Sequence, residues 1–186
     1  MNAVKITSGN LRGRTLLTPG GNTHPMGVRE TLALFNMISS YLKDATVLDA
    51  YAGSGALGIE AISRGASTVT FIEKNAKAAQ IIRQNLVNLD LKAEVFQGAV
   101  ENFQSGIQFD IILADPPYDN FIPEEIKKLA PFLKDDGILV LSHPNQAPEK
   151  GLCECNLYSP GHSLALRNTF ELWGSDKDSK PGKTKK

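Results

Sequence analysis

"LDAYAGSGALGIE", residues Leu48 to Glu60, decides how this chain is read. Inside it, Gly53-Ser54-Gly55-Ala56-Leu57-Gly58 matches G-x-G-x-x-G, the glycine turn of dinucleotide-binding folds. In that setting the first glycine follows the apolar strand directly, and a pyrophosphate rests on the N-terminus of the next helix. Here the strand "ATVLDA" carries the acid Asp49 near its end, and Ala50-Tyr51-Ala52 intervene before Gly53. That spacing disfavours a nicotinamide dehydrogenase. What it predicts by itself is a tight strand-to-helix turn in an α/β protein.

The flanking sequence extends this pattern. "ALGIEAISRG" predicts a helix stopped by Gly65, and "STVTFIE" predicts the next strand. "NAKAAQIIRQNLVNLD" follows as a helix with Ala78, Ile81, Ile82, Asn85 and Leu89 on or near one stripe. "AEVFQG" and "FDIILADPPY" give further strands, "PEEIKKLAPFL" a short helix and "DGILVLSHP" the fifth strand. Strand–helix alternation with short connections predicts a mostly parallel sheet covered by helices on both faces. "GLCECNLYS" and "HSLALRNTFELW" read as an antiparallel edge pair around Pro160-Gly161. Before the first strand, "VRETLALFNMISSYL" predicts an amphipathic helix through Leu34, Phe35, Ile38 and Leu42. Further upstream, two β-prone stretches flank Ser8-Gly9-Asn10 and predict a hairpin, and "PGGNTHPMG" predicts a loop.

Charge is unevenly placed although the formal net charge is +0. Residues 1–29 carry Lys5, Arg12, Arg14 and Arg29 and no acid, and residues 175–186 carry five lysines against two aspartates. Basic ends on a mildly acidic body suit contact with a polyanion. The end segment "GSDKDSKPGKTKK" has the composition of a disordered tail. No apolar run is long enough for a membrane span, and "MNAVKITSGNLRGR" lacks the apolar core of a secretory signal, so a cytoplasmic protein is expected. Cys153 and Cys155 read as reduced thiols, and without partners at ligand spacing they predict no metal site.

The D-x-x-x-G-x-G arrangement of Asp49, Gly53 and Gly55 resembles the first motif of Rossmann-like S-adenosylmethionine methyltransferases. That donor has no phosphate, and its amino-acid end carries an ammonium and a carboxylate. Asp49 can sit near the positive end, while Gly53 and Gly55 let the backbone pass close to the methionine and ribose. Glu73, at the end of the second strand of the alternation, can accept both ribose hydroxyls. The deciding stretch is Asp115-Pro116-Pro117-Tyr118, directly after "DIILA". Sites in such folds form at the carboxyl ends of parallel strands. Two prolines remove two N–H donors and leave carbonyls exposed. A side-chain oxygen and a proline carbonyl there can take the two hydrogens of an NH2 group, and Tyr118 can stack on its base. The two motifs together indicate an amino-group methyltransferase acting on a nucleobase, although an amide target shares the same corner.

With "SGNLRGRTL", Pro25, "VRETL", "LFN", "LDAYAGSGALGIEAISRGA", "VTFIEKN", "NL" at Asn85-Leu86 and "FDIILADPPY", the chain resembles the RsmD family up to about residue 174. That resemblance implies a Rossmann-like α/β domain with a mostly parallel seven-stranded sheet, an antiparallel strand at the C-terminal end and a small N-terminal β-hairpin extension. It divides the chain into the extension (residues 1–28), the methyltransferase domain (29–174) and the tail (175–186). It implies methylation of the exocyclic N2 of a guanine in 16S ribosomal RNA, or in an assembling small subunit, with S-adenosylmethionine as donor. The alternative is another RNA or DNA base, at adenine N6 or cytosine N4. The implied donor-binding residues are Asp49, Ala50, Tyr51, Gly53, Ser54, Gly55, Glu73, Lys74 and Ala99. Asp115, Pro116, Pro117 and Tyr118 are the implied catalytic corner, and Arg12, Arg14, His24 and Arg29 the implied RNA contacts, in a protein expected to be a monomer. This chain has "GVRETLALFN" where the family usually has an arginine-rich "DRVRETLFN", and Gln97-Gly98-Ala99 where an acid or amide often stands.

Overall fold

The computed structural model describes residues 4–20, 26–117, 123–142, 157–159 and 162–166. His24, Pro25, Tyr118, His143, Cys153, Cys155, the Pro160-Gly161 turn and the basic tail lie outside the described residues. In chain order the elements are β1 (Val4–Lys5), β2 (Thr15–Leu16), α1 (Val28–Met37), β3 (Thr46–Asp49), α2 (Ala56–Ser63), β4 (Thr68–Glu73) and α3 (Ala76–Asn88). Then come β5 (Glu94–Gln97), β6 (Phe109–Ala114), α4 (Pro123–Lys127), β7 (Leu133–Ser142), β8 (Leu157–Ser159) and β9 (His162–Leu166). The main sheet has the order β5-β4-β3-β6-β7-β9-β8. Strands β5 through β7 in that order pair in parallel, and β9 and β8 close the sheet antiparallel. Among the described residues no helix is long and apolar enough to cross a membrane.

The strands are apolar on both faces because helices cover both faces. Val47, Val69, Phe71, Ile111, Leu113, Ile138 and Val140 point into one core, with Phe35 and Ile38 from the α1 region, Ile59 of α2 and Ile82 of α3. Their neighbours Leu48, Ile72, Ile112, Ala114, Leu139 and Leu141 point into the other, against Val100, Phe103, Ile126 and Leu129. Alternate residues thus serve opposite faces. A register shift between Phe109 and Ile111 breaks the alternation, so that these two residues fall in different cores.

Glycine and asparagine set the helix ends. Gly65 (φ 107°) ends α2, with Ala66 N–H bonded to Ala61 C=O and Gly65 N–H to Ile62 C=O, both at 3.0 Å. This is a Schellman motif, and it needs the left-handed residue that glycine supplies. Asn75 caps α3 by accepting from Ala78 N–H at 3.1 Å.

The N-terminal segment packs on α2. β1 and β2 pair antiparallel, Val4 opposite Leu16, and the intervening loop folds back onto the end of that helix. Buried Glu60 accepts from Thr7 N–H and Thr7 Oγ1, each at 2.7 Å, and pairs with Arg64 at 2.6 Å. Ser63 Oγ donates to Ser8 C=O, and Asn10 N–H donates to Ser63 C=O at 2.9 Å. Gly9 approaches so closely that a Cβ there would overlap the Ser63 carbonyl. The Ser8-Gly9-Asn10 turn is therefore a docked surface and not a free tip.

Three expectations need correction at their boundaries. The helix expected over residues 28–42 ends at Met37, and a short 3-10 turn, Ser39–Tyr41, follows. Ser39 and Ser40 favour turns because their hydroxyls compete for backbone groups. The helix expected from "PEEIKKLAPFL" divides into α4 and a 3-10 turn at Ala130–Phe132, where Pro131 sits in the first positions. The strand expected from Asp136 begins earlier, at Leu133, which pairs with Phe109.

Candidate functional site

The chain runs from β3 outward to β4 and β5, then returns to place β6 on the other side of β3. The carboxyl ends of β3 and β6 therefore flank the point where strand order reverses, where open α/β sheets hold ligands. Asp49 ends β3, Glu73 ends the adjacent β4, and Asp115 follows the last residue of β6. The sheet thus brings these expected residues together at one edge.

Asp49 is 1% exposed. Its Oδ2 accepts from Gly58 N–H at 2.9 Å, in the first turn of α2. The expectation that Asp49 serves a ligand's positive end is thus only half its position, because one oxygen caps a helix whose N-terminus favours negative charge. Oδ1 is buried with no partner among the described residues. Burial pushes the Asp49 carboxyl up to about 7, with Asp115 and Glu73 adding to the rise and the Gly58 bond opposing it.

The glycines divide their work differently from the expectation. Gly53 has φ 56°, and a Cβ there would meet nothing within 4 Å, so its open side can admit a ligand. Gly55 has φ 80°, but a Cβ there would press on Ile82 at 3.2 Å and Phe71 at 3.4 Å. At Gly58 a Cβ would overlap the Phe71 ring. Gly55 and Gly58 are therefore small for the core, and of the three only Gly53 faces open space. Gly53 N–H donates to Glu73 Oε2 and Asn75 N–H to Glu73 Oε1, both at 2.7 Å.

Ala50 and Ala52 tie the loop to the sheet through Leu113 C=O at 2.8 Å and Ile72 C=O at 3.0 Å. Ser54 is buried, and its carbonyl accepts from the Asn85 side chain at 3.0 Å. Tyr51 reaches toward α4, its hydroxyl 3.4 Å from Glu125 Oε2. Burial, then the Glu125 carboxylate, push the Tyr51 phenol well above its ordinary range. Lys74 is exposed, and half-buried Ala99 opens the short turn after β5.

In the proline corner, Asp115 is half-buried, Pro116 buried and Pro117 exposed. Burial raises the Asp115 carboxyl, and a hydrogen bond from the Ser142 side chain opposes the rise. Ser142 is a residue that sequence reasoning missed. Parallel pairing of Ala114 with Leu141 brings the ends of β6 and β7 side by side, and so sets Ser142 near Asp115. A polar residue ending the apolar run "ILVL" was the available signal.

The arginines lie elsewhere. Arg12 is exposed on the loop docked to the end of α2, and Arg14 Nη2 donates to Asn88 C=O at 3.3 Å, at the end of α3. The end of α2 faces the start of β3, where Asp44 N–H donates to Gly65 C=O at 2.9 Å. Both arginines are thus at the amino edge of the sheet, opposite the carboxylates. Arg29 is exposed in the first turn of α1.

Comparison with known proteins agrees with this architecture. A family model described as "Conserved hypothetical protein 95" matches residues 4–157. The ribosomal RNA small subunit methyltransferase D of Escherichia coli K12 is 38% identical over 142 residues, 73% of this chain and 69% of that one. Its counterpart of the same description in Haemophilus influenzae is 35% identical over 130 residues, 66% of this chain and 67% of that one. The solved structure of a hypothetical protein from Thermus thermophilus superposes with a TM-score of 0.77 at 28% identity, covering 88% of this chain and 99% of that one. The chain belongs to the family of that description, the RsmD family of methyltransferases.

Proposed function

We propose that the protein methylates the exocyclic N2 of a guanine in small-subunit ribosomal RNA, with S-adenosylmethionine as donor. The observation that carries this reading is the meeting of Asp49, Glu73 and the Asp115-Pro116 corner at the strand-order reversal. Family membership and relatives named for ribosomal RNA methylation support the substrate class. Three carboxylates at one sheet edge suit a cationic ligand. The Oδ1 of Asp49, without a partner among the described residues, and the open side of Gly53 fit such a donor. Asp49, Ala50, Tyr51, Gly53, Ser54, Gly55, Glu73, Lys74 and Ala99 would hold it, with Glu73 on the ribose hydroxyls. When bound, the donor supplies an electrophilic methyl group on a sulfonium.

The remaining chemistry belongs to the chain. An exocyclic amine is a poor nucleophile because its lone pair is delocalised into the ring, so alignment and desolvation supply much of the rate. The Asp115 carboxylate and the Pro116 carbonyl accept the amine hydrogens and favour the positive charge that develops on nitrogen. Tyr118 stacks on the base, an interaction worth about 1–3 kcal/mol. The base must first leave its stack, at a cost of a few kcal/mol, which phosphate contacts offset. Arg12, Arg14 and His24, in an extension (residues 1–28), and Arg29, at the start of the methyltransferase domain (29–174), are the proposed contacts.

The test is incubation of the purified chain and labelled donor with ribosomal RNA, and with small subunits lacking the modification. Label is expected in N2-methylguanine on nucleoside analysis. Label in N6-methyladenine or N4-methylcytosine would move the assignment to another base. No incorporation into either substrate, where a relative modifies it, would overturn the proposal.

A further inference from the structure

Asn85 is the polar member of the buried face of α3, alongside Ala78, Ala79, Ile82 and Leu86. An apolar side chain would continue that face, and a buried amide is tolerated only when its polar atoms find partners. Here all of them do. Oδ1 accepts from Leu17 N–H at 2.8 Å, and Nδ2 donates to Leu17 C=O and Ser54 C=O, each at 3.0 Å. Leu17 follows β2 in the N-terminal extension. Ser54 lies between Gly53 and Gly55, both in the left-handed region at φ 56° and 80°. A single side chain therefore ties the backbone of the extension to the glycine loop.

The loop needs such an anchor. Two closely spaced departures to positive φ, one on each side of Ser54, leave that residue's carbonyl with no helix or strand to direct it. Gly55 N–H is held within the loop by Ala52 C=O at 2.7 Å, and Gly53 N–H is held by Glu73 at 2.7 Å. The Ser54 carbonyl is held by Asn85. We infer that Asn85 is a positioning residue for the donor site, and that through it the N-terminal extension is a working part of that site. This rests on the reading of the glycine loop and Glu73 as donor-binding. The extension then has a role in donor affinity that is separate from any RNA contact made by its arginines.

The test measures S-adenosylmethionine binding to the full chain by calorimetry, without RNA, beside the melting temperature of each variant. Asn85→Asp keeps the size and the acceptor for Leu17 N–H but loses the donor to both Ser54 C=O and Leu17 C=O, and donor affinity should fall about tenfold. Leu17→Pro leaves Asn85 intact and removes the N–H that orients it, and affinity should fall severalfold. Leu86→Ala, one position along α3, opens space in the same core and leaves the three Asn85 hydrogen bonds in place. It should lower the melting temperature and leave donor affinity within about twofold of wild type. Wild-type affinity in Asn85→Asp and Leu17→Pro would overturn the inference. So would a loss in Leu86→Ala that matches theirs at equal loss of stability. A wild-type chain that binds no donor would instead overturn the underlying reading of the loop.

Discussion

Asp49 holds two positions at once. One oxygen completes the first turn of α2, and the other waits in a buried space beside two more carboxylates. Its carboxyl is pushed up to about 7, mainly by burial, which brings its titration toward neutral pH. A cationic donor favours the ionised form. Donor affinity should therefore rise as pH increases toward 7 and level above it, with proton release on binding below that pH. Calorimetry in buffers of different ionisation heat measures this, and a flat affinity without proton release would refute it. Because the folded value lies above the ordinary 3.8, Asp49 contributes stability fully below about pH 4, and the contribution is lost as pH rises through about 7. Asp115 has the complementary role. Asp115→Ala should lower methyl transfer about a hundredfold or more while donor binding changes only a few-fold. It also removes a neighbouring negative charge, so the pH at which donor affinity levels should move down. Loss of donor binding in this variant would show that the proposed division of roles is wrong.

At the scale of elements, the glycine string separates into a cleft residue and two packing residues. Gly58→Ala drives a Cβ into Phe71 and should cost about 1–3 kcal/mol of stability by chemical denaturation, with donor affinity largely kept. Gly53→Ala meets no atom but must hold φ 56°, at a cost of about 1–2 kcal/mol, and its effect should fall on donor affinity. The opposite pattern would reverse the assignment. None of this was legible in "GSGALG" itself, because which way each glycine faces depends on Phe71 and Ile82, further along the chain. The strands were legible, since burial on both faces leaves short stretches dominated by apolar residues in "ATVL", "VTFI" and "DIIL". Asp49, Glu73 and Asp115 were legible for a related reason, each being an acid at the end of such a run. Asn85 and Ser142 were not, because their hydrogen bonds join segments far apart in sequence. The helix following β3 was legible in "ALGIEAISRG", but the purpose of its acid was not, because Glu60 faces the docked extension, far away in sequence.

For the molecule as a whole, the docked extension is held by a buried charge. Glu60→Ala leaves Arg64, whose side chain is 11% exposed, without its carboxylate, and removes two bonds to Thr7. The expected loss is about 3 kcal/mol, with faster tryptic cleavage at Arg12 and Arg14, read by mass spectrometry. Unchanged cleavage would mean that the extension is held by its apolar residues alone. The arginines and the carboxylates stand at opposite edges of the sheet, so an RNA touching both must reach roughly 20 Å, the length of α3 at about 1.5 Å per residue. Replacing Arg12 and Arg14 together should flatten the dependence of log affinity on log salt by about 1.5, with donor affinity unchanged. Strand β9 adds a constraint of order in time. It lies between β7 and β8, and pairs Leu166 with Ile138 and His162 with Ser142. During synthesis on a ribosome, β7 is made well before the strand that covers its outer edge. Until residue 166 has emerged, the growing chain presents Ile138 to Leu141 as an uncovered apolar edge, the kind that invites pairing with another chain. Ser142, the support of Asp115, lies on that same edge. The Asp115 corner is thus among the last parts of the sheet to be secured as the chain is made.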